Sequence, residues 1–338
     1  MRPADDIELA KDHVDAGQRM AELAPWLWSG LGLIILLLAG DALVKGAVNL
    51  SLRLGVPALI VSLTIVAFGT SAPELLIAIK AVLDDAPGIA MGNVVGSNTA
   101  NVLLVLGLPA MMAAMNTSQC ETRKTYNFMI GATILFIALA FRGVFDWIAA
   151  LALLAALSFV LFDAFREAHA HRKAGKEAAD EEEVEGADPD MAGWTIAVFL
   201  VLGLIGLPLG ASLLVDNASI IARQFGISDA VIGLTLVAIG TSLPELATTT
   251  MAALRRQADV ALGNVIGSNM FNLLAIIGVA GLIGPIPVAP EFLRFDLWVM
   301  LASSLILVPF VFMKKDISRT WGIGLTALYV VYVVIVLS

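Results

Sequence analysis

Two glutamates stand inside apolar sequence in this chain, each set in nearly the same words. Phe68–Leu76 reads FGTSAPELL and Ile239–Leu246 reads IGTSLPEL, which puts Glu74 and Glu245 inside runs of membrane-crossing length. A charged side chain at the centre of a bilayer costs about 2.5–3.5 kcal/mol on insertion scales, so two uncompensated carboxylates cost about 5–7 kcal/mol. Neither repeat core places a Lys, Arg or His near mid-span to neutralise them. A bound cation would remove the cost.

The neighbouring residues are oxygen donors. Proline has no N–H and its ring crowds the carbonyl one turn back. Pro73 therefore frees the Gly69 carbonyl and loosens those of Thr70 and Ser71, and Pro244 acts likewise on Gly240, Thr241 and Ser242. Unwound backbone in lipid is tolerated only where protein buries it or it lines a cavity. Each motif thus offers carbonyls, two hydroxyls and a carboxylate within about one helical turn. Farther along, Asn93, Ser97 and Asn101 share a helix face at i, i+4, i+8, and Asn264, Ser268 and Asn272 repeat the row. Calcium prefers about six to eight hard oxygen ligands, mixing carboxylates with carbonyls. Two glutamates match the charge of one Ca²⁺, and the other carbonyls and hydroxyls remain for Na⁺. With no Cys or His in either repeat, a soft transition-metal site is disfavoured.

These two segments belong to an internal repeat. Gly69–Gly107 aligns without a gap on Gly240–Gly278 at a constant offset of 171, with 18 identities in 39 positions. The match continues weakly upstream, where LVKGA at 43–47 faces LVDNA at 214–218. The elements around them are membrane spans. The 338 residues are 59% hydrophobic and 14% charged, with a mean hydropathy of +0.90, whereas a soluble domain is about a quarter charged. Segments long enough to cross a bilayer lie near 26–50, 57–80, 88–114, 125–141, 144–165, 193–222, 229–253, 259–283, 292–313 and 319–338.

The expected fold is an all-α polytopic membrane protein with ten transmembrane helices as two inverted five-helix repeats. A polar tail (1–25) precedes the first repeat (26–165), and an acidic cytoplasmic linker (166–192) separates it from the second (193–338). Five spans separate a residue from its mate, and an odd number turns the mates upside down. The loops agree: Asp84 and Asp85 fall on one side, and their mates Arg255 and Arg256 on the other. Inverted repeats with polar, Gly/Pro-interrupted segments at matching places point to a transporter site at the midplane. With both termini outside, the inner loops hold 12 Lys and Arg, the outer loops 4 and the tail 3, leaving out Lys45 within the first span. That bias sets the linker in the cytoplasm.

Other features carry structural readings. The first 25 residues lack the basic, apolar and small-residue order of a signal peptide. Gly92–Gly96 and Gly263–Gly267 have GxxxG spacing, which serves close helix packing. Serines in a span commonly bond back to their own helix, which is the plain alternative for Ser71, Ser97, Ser242 and Ser268. Asp41, Lys45 and Asp216 read as helix-end or interhelical contacts. His169, His171 and the acidic run of the linker read as solvated loop. A formal charge of −9 argues against nucleic acid as a partner, the single Cys120 excludes an intramolecular disulfide, and no protein partner is expected beyond the lipid bilayer itself.

GTSAPE with GNVVGSNTAN, and GTSLPE with GNVIGSNMFN, resemble the two alpha-repeats of the sodium/calcium exchanger family of cation/calcium antiporters. The resemblance implies a central Ca²⁺ site from Glu74 and Glu245 with the backbone carbonyls of Thr70 and Thr241. It also implies Na⁺ sites that use the same glutamates, the carbonyls of Ala67 and Ala238, and the side chains of Ser71, Ser97, Ser242 and Ser268. Asn101 stands at the central position. Many relatives carry Asp where this chain has Asn272, so the resemblance is to the prokaryotic, potassium-independent type. The function implied is Ca²⁺ export by alternating access in the cytoplasmic membrane, driven by Na⁺. An H⁺/Ca²⁺ antiporter using the same glutamates is the close alternative, and a calcium channel a more distant one. An intramembrane hydrolase with Ser71 or Ser242 as nucleophile lacks a nearby His or Lys base. Neither enzymatic activity nor an organic cofactor is expected.

Inversion makes a direct prediction. Cysteines placed at Asp85 and Arg256, in a Cys120→Ala background, should react with an impermeant maleimide from opposite sides of the membrane. Labelling of both from the same side of intact cells would refute it.

Overall fold

The computed structural model describes residues 3–173, 188, 190–226 and 238–337, with side chains from residue 23 onward except at 171–173, 238 and 337. Nearly all of it is helix, as expected where backbone N–H and C=O groups have no water to bond. In chain order the helices are α1 (Pro3–Leu54), α2 (Ala58–Thr70), α3 (Ala72–Leu83), α4 (Pro87–Met112), α5 (Arg123–Ala140) and α6 (Trp147–Lys173). They continue as α7 (Gly193–Gln224), α8 (Ala238–Gly240), α9 (Leu243–Leu254), α10 (Ala258–Ile283), α11 (Phe292–Phe312) and α12 (Arg319–Leu337). Seven of these contain a stretch long and apolar enough to cross a membrane, and α2 with α3, bent by 43°, makes an eighth. The polar start of α5 (Arg123, Lys124, Asn127) lowers its hydropathy, and the approach to α8 lies in residues 227–237, outside the described residues.

Two boundaries are less sharp than the sequence alone shows. The polar tail is helical and runs into the first span without a break, since α1 is one 52-residue helix through Pro25. Its Ala, Glu, Leu, Lys and Met are strong helix formers, and their summed propensity outweighs one proline at the polar edge. At the other boundary, α6 continues past 165 to Lys173, into the expected linker. Lys124 of α5 holds this extension by pairing with Asp163 and, at 2.8 Å, with Glu167. Asp146 starts the same helix by accepting the Ala149 N–H at 2.9 Å, which holds its carboxyl below the usual range. The acidic run at 180–185 lies outside the described residues.

The repeat reappears in the backbone at the same offset. α3 and α9 begin one residue after Ser71 (φ −84°, ψ 4°) and Ser242 (φ −88°, ψ 5°). Each ends before a residue of positive φ, Asp85 at 56° and Arg256 at 57°. α4 and α10 each contain a wide π-helical turn, at Asn101–Val105 and Asn272–Ile276. These two helices form the interior: 78% and 83% of their apolar stretches are buried, against 22% for α7 and 17% for α12.

The two halves interlock. α2 of the first half packs on α10 of the second, where Ser62 Oγ donates to the Val260 carbonyl at 2.7 Å. Of the two glycine pairs expected to pack closely, this one does: a Cβ on Gly263 would lie 2.9 Å from Ser62 Cβ, and one on Gly267 2.6 Å from Ala67 Cβ, whereas one on Gly92 would meet only Phe292 at 3.9 Å and one on Gly96 nothing within 4 Å. α1 and α7 meet through another small-residue seam, with Gly203 against Leu43 and Gly210 against Gly32 and Leu36. Short strands β1 (Val144–Phe145) and β2 (Ile286–Pro287) pair at one end of α5, and Met115 bridges to Ile317 at the other.

Because the α2–α10 seam leaves no room for a side chain, Gly267→Val should lower the apparent melting temperature in detergent. The change corresponds to an overpacking cost of about 1–3 kcal/mol. Gly30→Ala, where nothing lies within 4 Å of the added carbon, should leave the melting temperature unchanged.

Candidate cation-binding site

Each glutamate sits in the first turn of a helix made possible by the break before it. Pro73 and Pro244 occupy the second position of α3 and α9, where a missing N–H is harmless and φ is preset. Helix N-termini carry roughly half a positive charge, so the backbone itself favours a carboxylate there. Both glutamates are 1% exposed.

Around Glu245 the two halves share one network. Ser71 Oγ donates to Glu245 Oε1 at 3.2 Å across the repeat boundary, and Ser268 Oγ approaches the same oxygen at 3.5 Å. Thr70 Oγ1 donates to Asn264 Oδ1 at 3.2 Å and lies 3.4 Å from Ser268 Oγ. Asn264 Nδ2 turns to the Glu245 carbonyl at 3.3 Å and to Thr249 Oγ1 at 3.1 Å. Where α4 crosses α10, Asn272 Nδ2 donates to Ser97 Oγ (2.9 Å) and Asn101 Nδ2 to Asn269 Oδ1 (3.1 Å). Thr241 Oγ1 reaches Asn93 Oδ1 at 3.5 Å.

What these bonds leave over defines the chemistry. Glu74 Oε1 and Oε2, Glu245 Oε2, Asn101 Oδ1, Asn272 Oδ1, Ser242 Oγ and the amide Nδ2 of Asn93 are buried and have no hydrogen-bond partner. Five of these seven can only accept. Buried acceptors without donors are costly, and a hard cation is the partner that carboxylate, amide and hydroxyl oxygens share. No group of three His, Cys, Asp or Glu that could hold a metal exists among the described residues. A site here must therefore mix two carboxylates with neutral oxygens. A cavity of about 710 Å³ lined by Leu59, Ile60, Leu63, Lys124, Asp163 and Asp259 contains none of these groups.

The halves contribute unequally. Ser71 reaches Glu245, but its mate Ser242 makes no bond to Glu74. Ser268 faces Glu245, while its mate Ser97 donates back to the Val94 carbonyl at 3.2 Å, the plain role for a serine in a span. The Ala67 carbonyl already accepts the Ser71 N–H at 3.0 Å and lies 3.3 Å from Thr70 Oγ1, whose single proton it shares with Asn264 Oδ1. In the second half the Ser242 N–H bonds to the Ile239 carbonyl at 3.0 Å, and the side chain of Ala238 lies outside the described residues.

Thr249 and Asn269 belong to the network without having been expected there. Thr249 has Ala78 as its mate, so the repeat gives no signal. Asn269 did have one, since the Ser-Asn pair is identical in both repeats, at 97–98 and 268–269.

A family model described as "Sodium/calcium exchanger protein" matches residues 24–165 and 195–338. The sodium/calcium exchanger MaX1 of Methanosarcina acetivorans is 35% identical over 90% of this chain and 96% of its own length. The inner membrane protein YrbG of Escherichia coli is 33% identical over 89% and 93%. Among solved structures, that of the sodium-calcium exchanger NCX_Mj soaked with Na⁺ and Sr²⁺ matches with a TM-score of 0.78. It has 32% identity and covers 92% of this chain and 97% of that one.

Asn264 joins Thr70, Thr249 and the Glu245 backbone, so it fixes groups of the candidate site. Asn264→Ala should weaken divalent-cation binding by roughly 10–100-fold, the usual cost of losing a partner that orients a ligand. Calorimetric titration of purified protein with Ca²⁺ checks this, and unchanged affinity would remove Asn264 from the site.

Proposed function

The chain belongs to the sodium/calcium exchanger family, and from that premise we propose that it is a Na⁺/Ca²⁺ antiporter that exports Ca²⁺ by alternating access. The observation that carries the reading is the set of three carboxylate oxygens, both of Glu74 and one of Glu245, buried in an apolar bundle without a donor. One Ca²⁺ satisfies two carboxylates electrically. A Na⁺ load competes for the same oxygens, so each cation displaces the other and their gradients become coupled.

In this reading Glu74 and Glu245, with the carbonyls of Thr70 and Thr241, hold Ca²⁺. Na⁺ uses the same glutamates with Ser71, Ser97, Ser242 and Ser268 and the carbonyls of Ala67 and Ala238. The ten spans form two inverted five-helix repeats with both termini outside and the linker inside. The matching breaks, π-helical turns and positive-φ residues support the repeat, and the Lys/Arg bias supports the orientation. Asn272 is neutral and engaged by its amide with Ser97, which supports exchange without K⁺.

Reconstitution into proteoliposomes tests the proposal. An outward Na⁺ gradient from Na⁺-loaded vesicles should drive ⁴⁵Ca²⁺ uptake at clamped pH, and collapsing the gradient should abolish it. Uptake that follows an imposed pH gradient and ignores Na⁺ would replace this reading with proton coupling. Glu74→Gln or Glu245→Gln should abolish exchange in monodisperse protein, and near-normal flux in either would sink the site. Raising K⁺ from zero at clamped voltage should leave wild-type flux unchanged, whereas Asn272→Asp should introduce K⁺ or pH sensitivity. Several-fold stimulation of the wild type by K⁺ would overturn the potassium-independent assignment.

A further inference from the structure

We infer that the ion pair between Asp41 and Arg255 is a one-sided latch that closes the linker-side passage and biases the resting protein toward the state open on the opposite side. The inference rests on the alternating-access reading above. Arg255, just past the end of α9, donates through Nε to Asp41 of α1, and Lys45 lies one turn on, 3.1 Å from the same carboxylate. Their side chains are only 15%, 20% and 31% exposed for Arg255, Asp41 and Lys45. None of the three belongs to the cation site. The pair ties α1 to the helix whose first turn carries Glu245. Beside it α1 packs along α9, where a Cβ on Gly40 would lie 3.0 Å from the Ala247 carbonyl. The linker meets α1 near its C-terminal end, with Asn49 Oδ1 accepting the Asp188 N–H at 2.7 Å.

The repeat supplies the control. At the offset of 171, the mates of Asp41, Lys45 and Arg255 are Ser212, Asp216 and Asp84. That set contains no cation, and Asp84 instead pairs with Lys80 on its own helix at 2.8 Å. The packing differs in the same direction. Ala247 is 7% exposed beneath α1, whereas its mate Leu76 on α3 is 67% exposed. α7 has no packing on α3 comparable to that of α1 on α9 among the described residues. Two equal repeats would weight their two closed states alike. Here the charges break the symmetry, and the closed side is the side that has the latch.

Arg255→Gln removes the cross-helix link and leaves Asp41 paired with Lys45, so it strands no charge. The experiment uses the full chain in nanodiscs, Cys120→Ala, with reporter cysteines at Met251 (against Gly40) and, separately, at Leu76. Labelling by a hydrophilic maleimide is timed without Ca²⁺. Arg255→Gln, and Asp41→Asn as a second route to the same loss, should speed labelling at 251 about fivefold or more. Labelling at 76 should slow, and Arg255→Lys should restore most of the wild-type rates. Unchanged rates at both reporters in monodisperse Arg255→Gln, or an Arg255→Lys indistinguishable from Gln, would overturn the latch. Labelling does not require transport. A shift without Na⁺-driven exchange would therefore keep the latch and discard the antiporter, and exchange without a shift would do the reverse.

Discussion

An ionised carboxylate withdrawn from water needs a counter-charge, and this protein withholds one from Glu74. Neither of its oxygens has a donor, and Glu245 has a donor for only one of its two. A permanent Lys or Arg partner would offset part of the penalty but would also fill the place of a cation. In the proposed reading the missing charge is supplied by an ion that can leave, and the fold around the two glutamates is arranged to admit it. Proline breaks put each carboxylate at a helix N-terminus. Two of the four π-helical turns among the described residues start at Asn101 and Asn272, whose amides then cross between α4 and α10. Such turns are rare and recur at functional sites.

The second requirement is that the two halves build one site between them. Hydrogen bonds from Ser71 to Glu245, Thr70 to Asn264, Asn272 to Ser97 and Asn101 to Asn269 all cross from one repeat to the other. Crossing is possible because Gly263 and Gly267 let α2 approach the α10 backbone. Lipid offers no hydrophobic drive for such association, so small residues and buried polar bonds hold the seam. The α1–α7 pair is built the same way but is less buried. It touches the site-bearing helices chiefly through one side, where Asp41 meets Arg255.

Much of this was legible in the sequence because it is local. A proline after Gly-Thr-Ser, a glutamate with no basic partner and a repeat at fixed offset each have physical consequences independent of the rest of the fold. Gly263 and Gly267 were legible as packing residues for the same reason. The network around Asn264 was half legible: its place in an i, i+4 row was visible, but its partners Thr70 and Thr249 depend on which helices meet. The π-helical turns leave no pattern in composition. The join between tail and first span was not legible, since polar residues before a span read as a boundary, while their helix propensity carries α1 through Pro25. The unequal bonding of Ser71 and Ser242 was invisible because the two motifs are nearly identical in sequence.

A divalent cation held between Glu74 and Glu245 can be sought directly. Crystals of the purified protein soaked with Sr²⁺ at low Na⁺ should give an anomalous difference peak between the two carboxylates. Its oxygen distances should be near the Ca²⁺ range of about 2.3–2.6 Å, and the peak should fade as Na⁺ is raised. A peak away from both glutamates, or none at saturating Sr²⁺ with both carboxylates ordered, would contradict the site on which everything else here depends.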